Sequence, residues 1–128
     1  MPGERETVHA ANAPPAVGPY SHAVRAAGLL FCSGQIPLDP ESGELVGETP
    51  AAQARQCLEN LRAVCAAAGT TLERAVRLTI YTTRLSAFAE INEAYESFFA
   101  GAPPARAAVG VAELPKGALV EIDAVVAL

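Results

Sequence analysis

The sequence predicts an α+β domain, and three observations carry that reading. From Thr49 to Gly69 apolar residues recur at helical spacing between good start and stop signals. From Ala75 to Thr83 apolar and polar residues alternate with the period of a strand, and Ala118 to Val126 does the same. The order along the chain is therefore strands, helix, strand, helix, strands.

Ala27 to Gln35 (AGLLFCSGQ) is a short apolar run closed by Ser-Gly, which reads as a buried strand ending at a turn or a functional position. Ser21 to Ala26 pairs with it as a hairpin through Gly28. Pro37 to Gly47 holds Asp39-Pro40 and Ser42-Gly43, punctuated too often for a long element, so a loop or irregular hairpin is expected. Thr49 offers an N-cap oxygen and Pro50 needs no amide partner at the first helical position. Cys57, Leu58, Leu61, Val64, Cys65 and Ala68 then share one face until Gly69 stops the helix.

In the strand Ala75 to Thr83, Val76, Leu78 and Ile80 form the expected buried row. Ser86 is the expected cap of a second amphipathic helix running through Phe88, Ile91, Tyr95 and Phe98 to Gly101 and Pro103-Pro104, its aromatics read as core. Two strands follow, Ala107 to Ala112 and Ala118 to Val126, joined by the turn Leu114-Pro115-Lys116-Gly117. In the last strand Val120, Ile122, Ala124 and Val126 face the helices, leaving Glu121 and Asp123 on the other side. If Val109 and Val111 join that core row, Arg106, Ala108 and Gly110 point away from it. This parity places Arg106 and Glu121 together on the helix-free face, beside small residues that admit another surface, so a subunit interface with a polar pocket is expected there.

A length of 128 residues fits one domain, 1–128, burying about two-thirds of its unfolded surface. The apolar fraction of 51% argues against disorder, and no apolar run is long enough to cross a bilayer. Met1 to Glu6 lacks an apolar core and a small-residue cleavage site, so no export signal is read and a cytoplasmic protein is expected. With 14 acidic and 9 basic side chains the field repels phosphate backbones, which disfavours nucleic acid as a partner. Cys32, Cys57 and Cys65 form no C-x-x-C; on a helix Cys57 and Cys65 lie roughly 12 Å apart, beyond disulfide reach. All three read as small buried residues. His9 and His22 have no partner at metal-ligand spacing, so no metal site is expected.

Four segments, in order and across nearly the whole chain, resemble the RidA (YjgF) family. They are Gly18-Pro19-Tyr20-Ser21, then Phe31-Cys32-Ser33-Gly34-Gln35-Ile36, then Phe88 to Phe99 (FAEINEAYESFF), and finally Pro104-Ala105-Arg106 with Leu114-Pro115-Lys116-Gly117 and Val120-Glu121-Ile122. The resemblance implies a chorismate-mutase-like fold: a mixed β-sheet with two helices packed on one face, assembling as a homotrimer with sites between subunits and no cofactor. It implies hydrolysis of reactive 2-enamines and 2-imines, such as 2-aminoacrylate and 2-iminobutyrate, to 2-keto acids and ammonia. Arg106 matches the family's carboxylate-binding arginine, whose guanidinium grips a carboxylate through two parallel hydrogen bonds. Glu121 matches the acidic residue suited to activating the attacking water. Tyr20, Ser33, Gly34 and Asn92 match substrate-binding positions. Many bacterial members carry Cys two residues after the arginine where this chain has Ala108, which excludes thiol chemistry there. A trimeric binding or regulatory module without turnover is the alternative from a different class, and endoribonuclease activity a third.

Overall fold

The computed structural model describes residues 4–128. Met1 to Gly3, part of the segment read above for an export signal, lie outside the described residues. Six strands form one sheet in the order β1-β2-β3-β6-β4-β5. They are β1 (Glu6–Val8), β2 (Ala23–Ala26), β3 (Leu29–Gln35), β4 (Ala75–Thr82), β5 (Ala105–Gly110) and β6 (Val120–Ala127). Helices α1 (Pro50–Ala67) and α2 (Phe88–Glu96) complete the fold. All neighbouring strands run antiparallel except β4 and β5, which are parallel, so the sheet is mixed.

Local signals explain most of these elements. The β2–β3 hairpin turns on Ala27 and Gly28, both at positive φ (55° and 76°), the condition for a type I′ turn whose twist matches the strands. Thr49 caps α1 as expected, its Oγ1 accepting from the Ala52 amide at 3.1 Å, with Pro50 in the first turn. After Ala68 the chain turns through Gly69 at φ 83°. The buried stripe of α1 packs on the sheet with Leu30, Leu78, Ile80, Ile91 and Ile122, all fully buried. The Pro37–Gly47 segment is an irregular hairpin with a single Leu38–Leu45 bridge. Buried Asn60 of α1 holds it down, donating through Nδ2 to the Leu38 carbonyl at 3.0 Å.

Several details differ from the sequence reading, each for a local reason. Ser86 does not cap α2: it lies inside a 3-10 turn, Leu85–Ala87, that runs straight into the helix and satisfies the first amides through backbone carbonyls. Val76 does not join the core row but is 48% exposed. Between Ala75 and Arg77 strand β4 bulges against β6, so Val76 is the extra residue and the alternation restarts after it. The short edge strand β1 has no sequence signature. Finally, β5 and β6 are not neighbours, because β4 lies between them.

That last difference reverses the parity of β5. Laterally paired residues point to the same side of a sheet, and β4 pairs Leu78 with Arg106, Ile80 with Ala108 and Tyr81 with Val109. It also pairs Ile80 with Ile122 and Tyr81 with Glu121. Arg106 and Ala108 therefore face the helix side, whereas Val109, 39% exposed, faces the helix-free side with Glu121. The expectation that Arg106 and Glu121 share a face is wrong. It assumed that every valine of β5 seeks the core, but β5 is the sheet edge, where α2 offers Arg106 a partner instead.

Candidate functional site

Four of the six candidate residues come together at one end of β3 and β6. Tyr20, Ser33, Gly34 and Glu121 line a cavity of about 460 Å³, joined by Pro14 and Lys116 among others. His22 anchors the loop that carries Tyr20: Nδ1 accepts from the Ala10 amide at 2.9 Å and Nε2 donates to the Pro14 carbonyl at 2.7 Å. These bonds use both ring nitrogens in a neutral tautomer, so His22 is structural. Tyr20 is 47% exposed at the rim.

Between Cys32 and Gln35 the register of β3 against β6 shifts, which frees Ser33 and Gly34 from regular pairing. Ser33 donates its hydroxyl to the Ser21 carbonyl at 2.7 Å, so toward the cavity it offers lone pairs rather than a proton. Gly34 is needed for close approach. A Cβ there would lie 3.1 Å from the carboxyl carbon of Glu121, and closer still to Oε2. The carboxylate thus lies folded against bare backbone. Burial, and secondarily the charge of Asp123, push the Glu121 carboxyl above the usual carboxylate range.

Arg106 and Asn92 belong to a second cavity, of about 600 Å³, on the other side of the sheet edge, lined also by Tyr95, Phe99, Pro103 and Pro104. Arg106 Nη1 donates to Asn92 Oδ1 at 2.6 Å. Its guanidinium carbon stands 5.1 Å from the Phe88 ring centroid and 4.9 Å from that of Tyr95. A weakly hydrated planar cation held by its face and one edge keeps its other donors in a fixed plane, the arrangement that suits a carboxylate. Phe88, Asn92 and Tyr95 occur at i, i+4 and i+7, one stripe of α2; that spacing was the available signal that the two rings do more than fill the core. The Tyr95 hydroxyl is the one buried side-chain polar atom without a hydrogen-bond partner among the described residues.

Within one chain, then, the structure brings Tyr20, Ser33, Gly34 and Glu121 together and Arg106 with Asn92, but not the two groups with each other. The sequence reading placed Asp123 beside Glu121 but missed its partner: Tyr81 donates its hydroxyl to Asp123 Oδ2 at 3.1 Å on the helix-free face. Among the described residues no three His, Cys, Asp or Glu side chains cluster to hold a metal, and no helix is long and apolar enough to cross a membrane.

Fold and side chains together define a class: a small mixed-sheet α+β protein with an acidic cavity at one end of β3 and β6 and a separate arginine-lined cavity between edge strand β5 and α2. A family model described as Endoribonuclease L-PSP matches residues 10–128. "Protein DfrA" of Myxococcus xanthus is 51% identical over 123 residues, covering 94% of this chain and 94% of the relative. The human 2-iminobutanoate/2-iminopropanoate deaminase is 42% identical over 121 residues, covering 94% of this chain and 88% of its own. The crystal structure of RidA from the Antarctic bacterium Psychrobacter sp. PAMC 21119 superposes with a TM-score of 0.92 at 43% identity, covering 96% of this chain and 99% of the other. The chain belongs to the Endoribonuclease L-PSP family, that of RidA and YjgF.

Proposed function

We propose that this protein hydrolyses reactive 2-enamines and 2-imines, 2-aminoacrylate and 2-iminobutyrate among them, to 2-keto acids and ammonia in the cytoplasm. The observation that carries the reading is Arg106, whose guanidinium is pre-oriented by Asn92 and two aromatic rings. Sequence similarity to proteins named 2-iminobutanoate/2-iminopropanoate deaminase supports the same class. The placement of Arg106 and Glu121 on opposite faces supports a site completed by a second copy, in a homotrimer whose subunits each supply one half.

In this mechanism Arg106 fixes the substrate carboxylate, and with it the plane of the adjacent C=N carbon. The iminium tautomer is the electrophile: Glu121 from the neighbouring copy accepts a proton from water as its oxygen bonds to that carbon, and the C=N π electrons move to the cationic nitrogen to leave a neutral carbinolamine. The carbinolamine then collapses: Glu121 returns its proton to the amine nitrogen, the C–N bond breaks as the carbonyl forms, and the hydroxyl proton passes back through the Glu121 carboxylate to the released ammonia, which leaves as ammonium. Ser33 lone pairs receive the substrate N–H, Tyr20 closes the rim, and the Gly34 amide assists the carboxylate. No cofactor enters these steps. A net charge of −5 argues against the ribonuclease activity in the family model's description.

The test is a coupled assay in which a pyridoxal-phosphate lyase generates the imine and keto-acid release is followed. Wild type should exceed the spontaneous rate, and Arg106→Ala should reduce the acceleration on the order of a hundredfold while the fold survives. Arg106→Lys should also be strongly impaired, since an ammonium cannot hold the carboxylate plane. Full acceleration by folded Arg106→Ala would refute the mechanism. Absence of acceleration by wild type, with 2-keto acids still bound, would assign the protein to the binding modules.

A further inference from the structure

We propose that Asp123, anchored by the Tyr81 hydroxyl, is a positioning residue for Glu121, keeping that carboxylate an effective proton acceptor in the site. This rests on the hydrolytic reading above, and it goes further by assigning a role to two side chains outside the matched motifs.

The geometry begins with strand alternation. Val120, Ile122 and Ala124 are buried under the helices, so Glu121 and Asp123 both project from the helix-free face, roughly 7 Å apart along the strand. On β4, Tyr81 pairs laterally with Glu121 and Thr79 with Asp123. The Tyr81 ring reaches diagonally past Glu121, and its hydroxyl donates to Asp123 Oδ2 at 3.1 Å. Asp123 is thereby held in place rather than free to swing into solvent. On the other flank Gly34 lets the Glu121 carboxylate settle against the β3 backbone, where it loses part of its hydration.

A carboxylate that is partly buried and faces a fixed like charge binds a proton more readily than one in water. Burial first and Asp123 second push Glu121 in that direction. Hydrolysis needs this property, because the same group must take a proton from water and return it to the leaving amine. The other groups around Glu121 are Lys116 and Tyr20, which line its cavity, and Ser33 on β3. Arg77 and Thr79 lie farther along β4, and Cys57 lies across the sheet, its thiol pushed up by burial and then by the Glu121 charge. Asp123, by contrast, is an anionic neighbour on the same face, held by a hydrogen bond.

The experiment is a carbon-13 NMR titration of the intact protein labelled at glutamate side-chain carboxyls, with the Glu121 signal identified by its loss in Glu121→Gln. Asp123→Asn removes the charge while its amide oxygen still accepts from Tyr81, so the Glu121 midpoint should move to lower pH. Asp123→Glu, which restores the charge, should return it toward wild type. The acid limb of the kcat/KM profile for keto-acid release should move down with the midpoint, because Glu121 works ionised. Coincident midpoints in wild type and Asp123→Asn overturn the proposal, as does a moved midpoint with an unmoved acid limb. A moved midpoint in a protein that accelerates no imine hydrolysis upholds the Asp123–Glu121 linkage and sinks the hydrolytic reading alone. Asp123→Ser carries the same test if the amide disturbs the strand.

Discussion

Glu121, the proton acceptor of the proposed mechanism, occupies a position whose burial raises its proton affinity. Its proton affinity is higher in the folded protein than in the unfolded chain, so the folded state binds more protons across the window between the two values. Stability therefore falls as pH rises through that window, and ionising Glu121 at neutral pH works against the fold. Glu121→Gln should raise the Tm at pH 7, and the gain should disappear once the solution is acidic enough to protonate Glu121 in both states. A Tm difference independent of pH would assign the effect to packing instead. The thiols are quieter. Cys32, Cys57 and Cys65 are all free and buried. A hydrogen bond with Cys65 and burial hold the Cys32 thiol above its ordinary range, and burial does the same for Cys57, consistent with packing roles.

Among the elements, α1 does more than cover the sheet. Its first turns tie down the Gly47 end of the irregular hairpin and the chain just before β6, the strand that carries Glu121. Gln53 Oε1 accepts from the Leu119 amide at 2.7 Å, just before β6 begins, and Nε2 donates to the Gly47 carbonyl at 3.1 Å. Two substitutions separate the local from the tertiary contribution. Thr49→Ala removes one capping bond at an exposed helix start and should cost about 1 kcal/mol in denaturant unfolding. Gln53→Ala strands a backbone amide next to β6 and should cost more, roughly 1–3 kcal/mol, and loosen the Glu121 strand. Equal costs for the two would remove Gln53 from this role.

For the whole molecule the helix-free face is the surface the proposed assembly would use. It leaves Phe31 45% and Val109 39% exposed, with Val125 and Tyr81 on the same side, an apolar patch that calls for a covering surface. Assembly into the proposed trimer would cover it and would let Arg106 at one edge meet Glu121 of a neighbour. Light scattering should give three times 13.2 kDa, and Val109→Asp should shift the protein toward monomer by placing a charge in the contact. A monomeric wild type at micromolar concentration, or a trimer undisturbed by Val109→Asp, would remove this face from the assembly. Because the mechanism needs both halves, the monomeric variant should also lose imine hydrolysis even though all six candidate residues remain.

The sequence by itself determined what local chemistry controls: the cap at Thr49 and Pro50, the stop at Gly69, the hairpin through Gly28, the buried row of β6, and the family motifs around Ser33, Arg106 and Glu121. Each depends on residues within a few positions of one another, where period and turn preference act directly. Which strand neighbours which was not legible, because β4 enters between β6 and β5 through pairings distant in sequence. That insertion, with a parallel β4–β5 register, turned Arg106 toward α2 and Val109 toward the open face, and the bulge at Val76 broke an alternation that looked regular. The same tertiary pairing brought Tyr81 to Asp123 across 42 residues of chain and laid Glu121 against Gly34. Side-chain direction in a sheet is inherited from the lateral partner, and the partner is chosen by the whole fold.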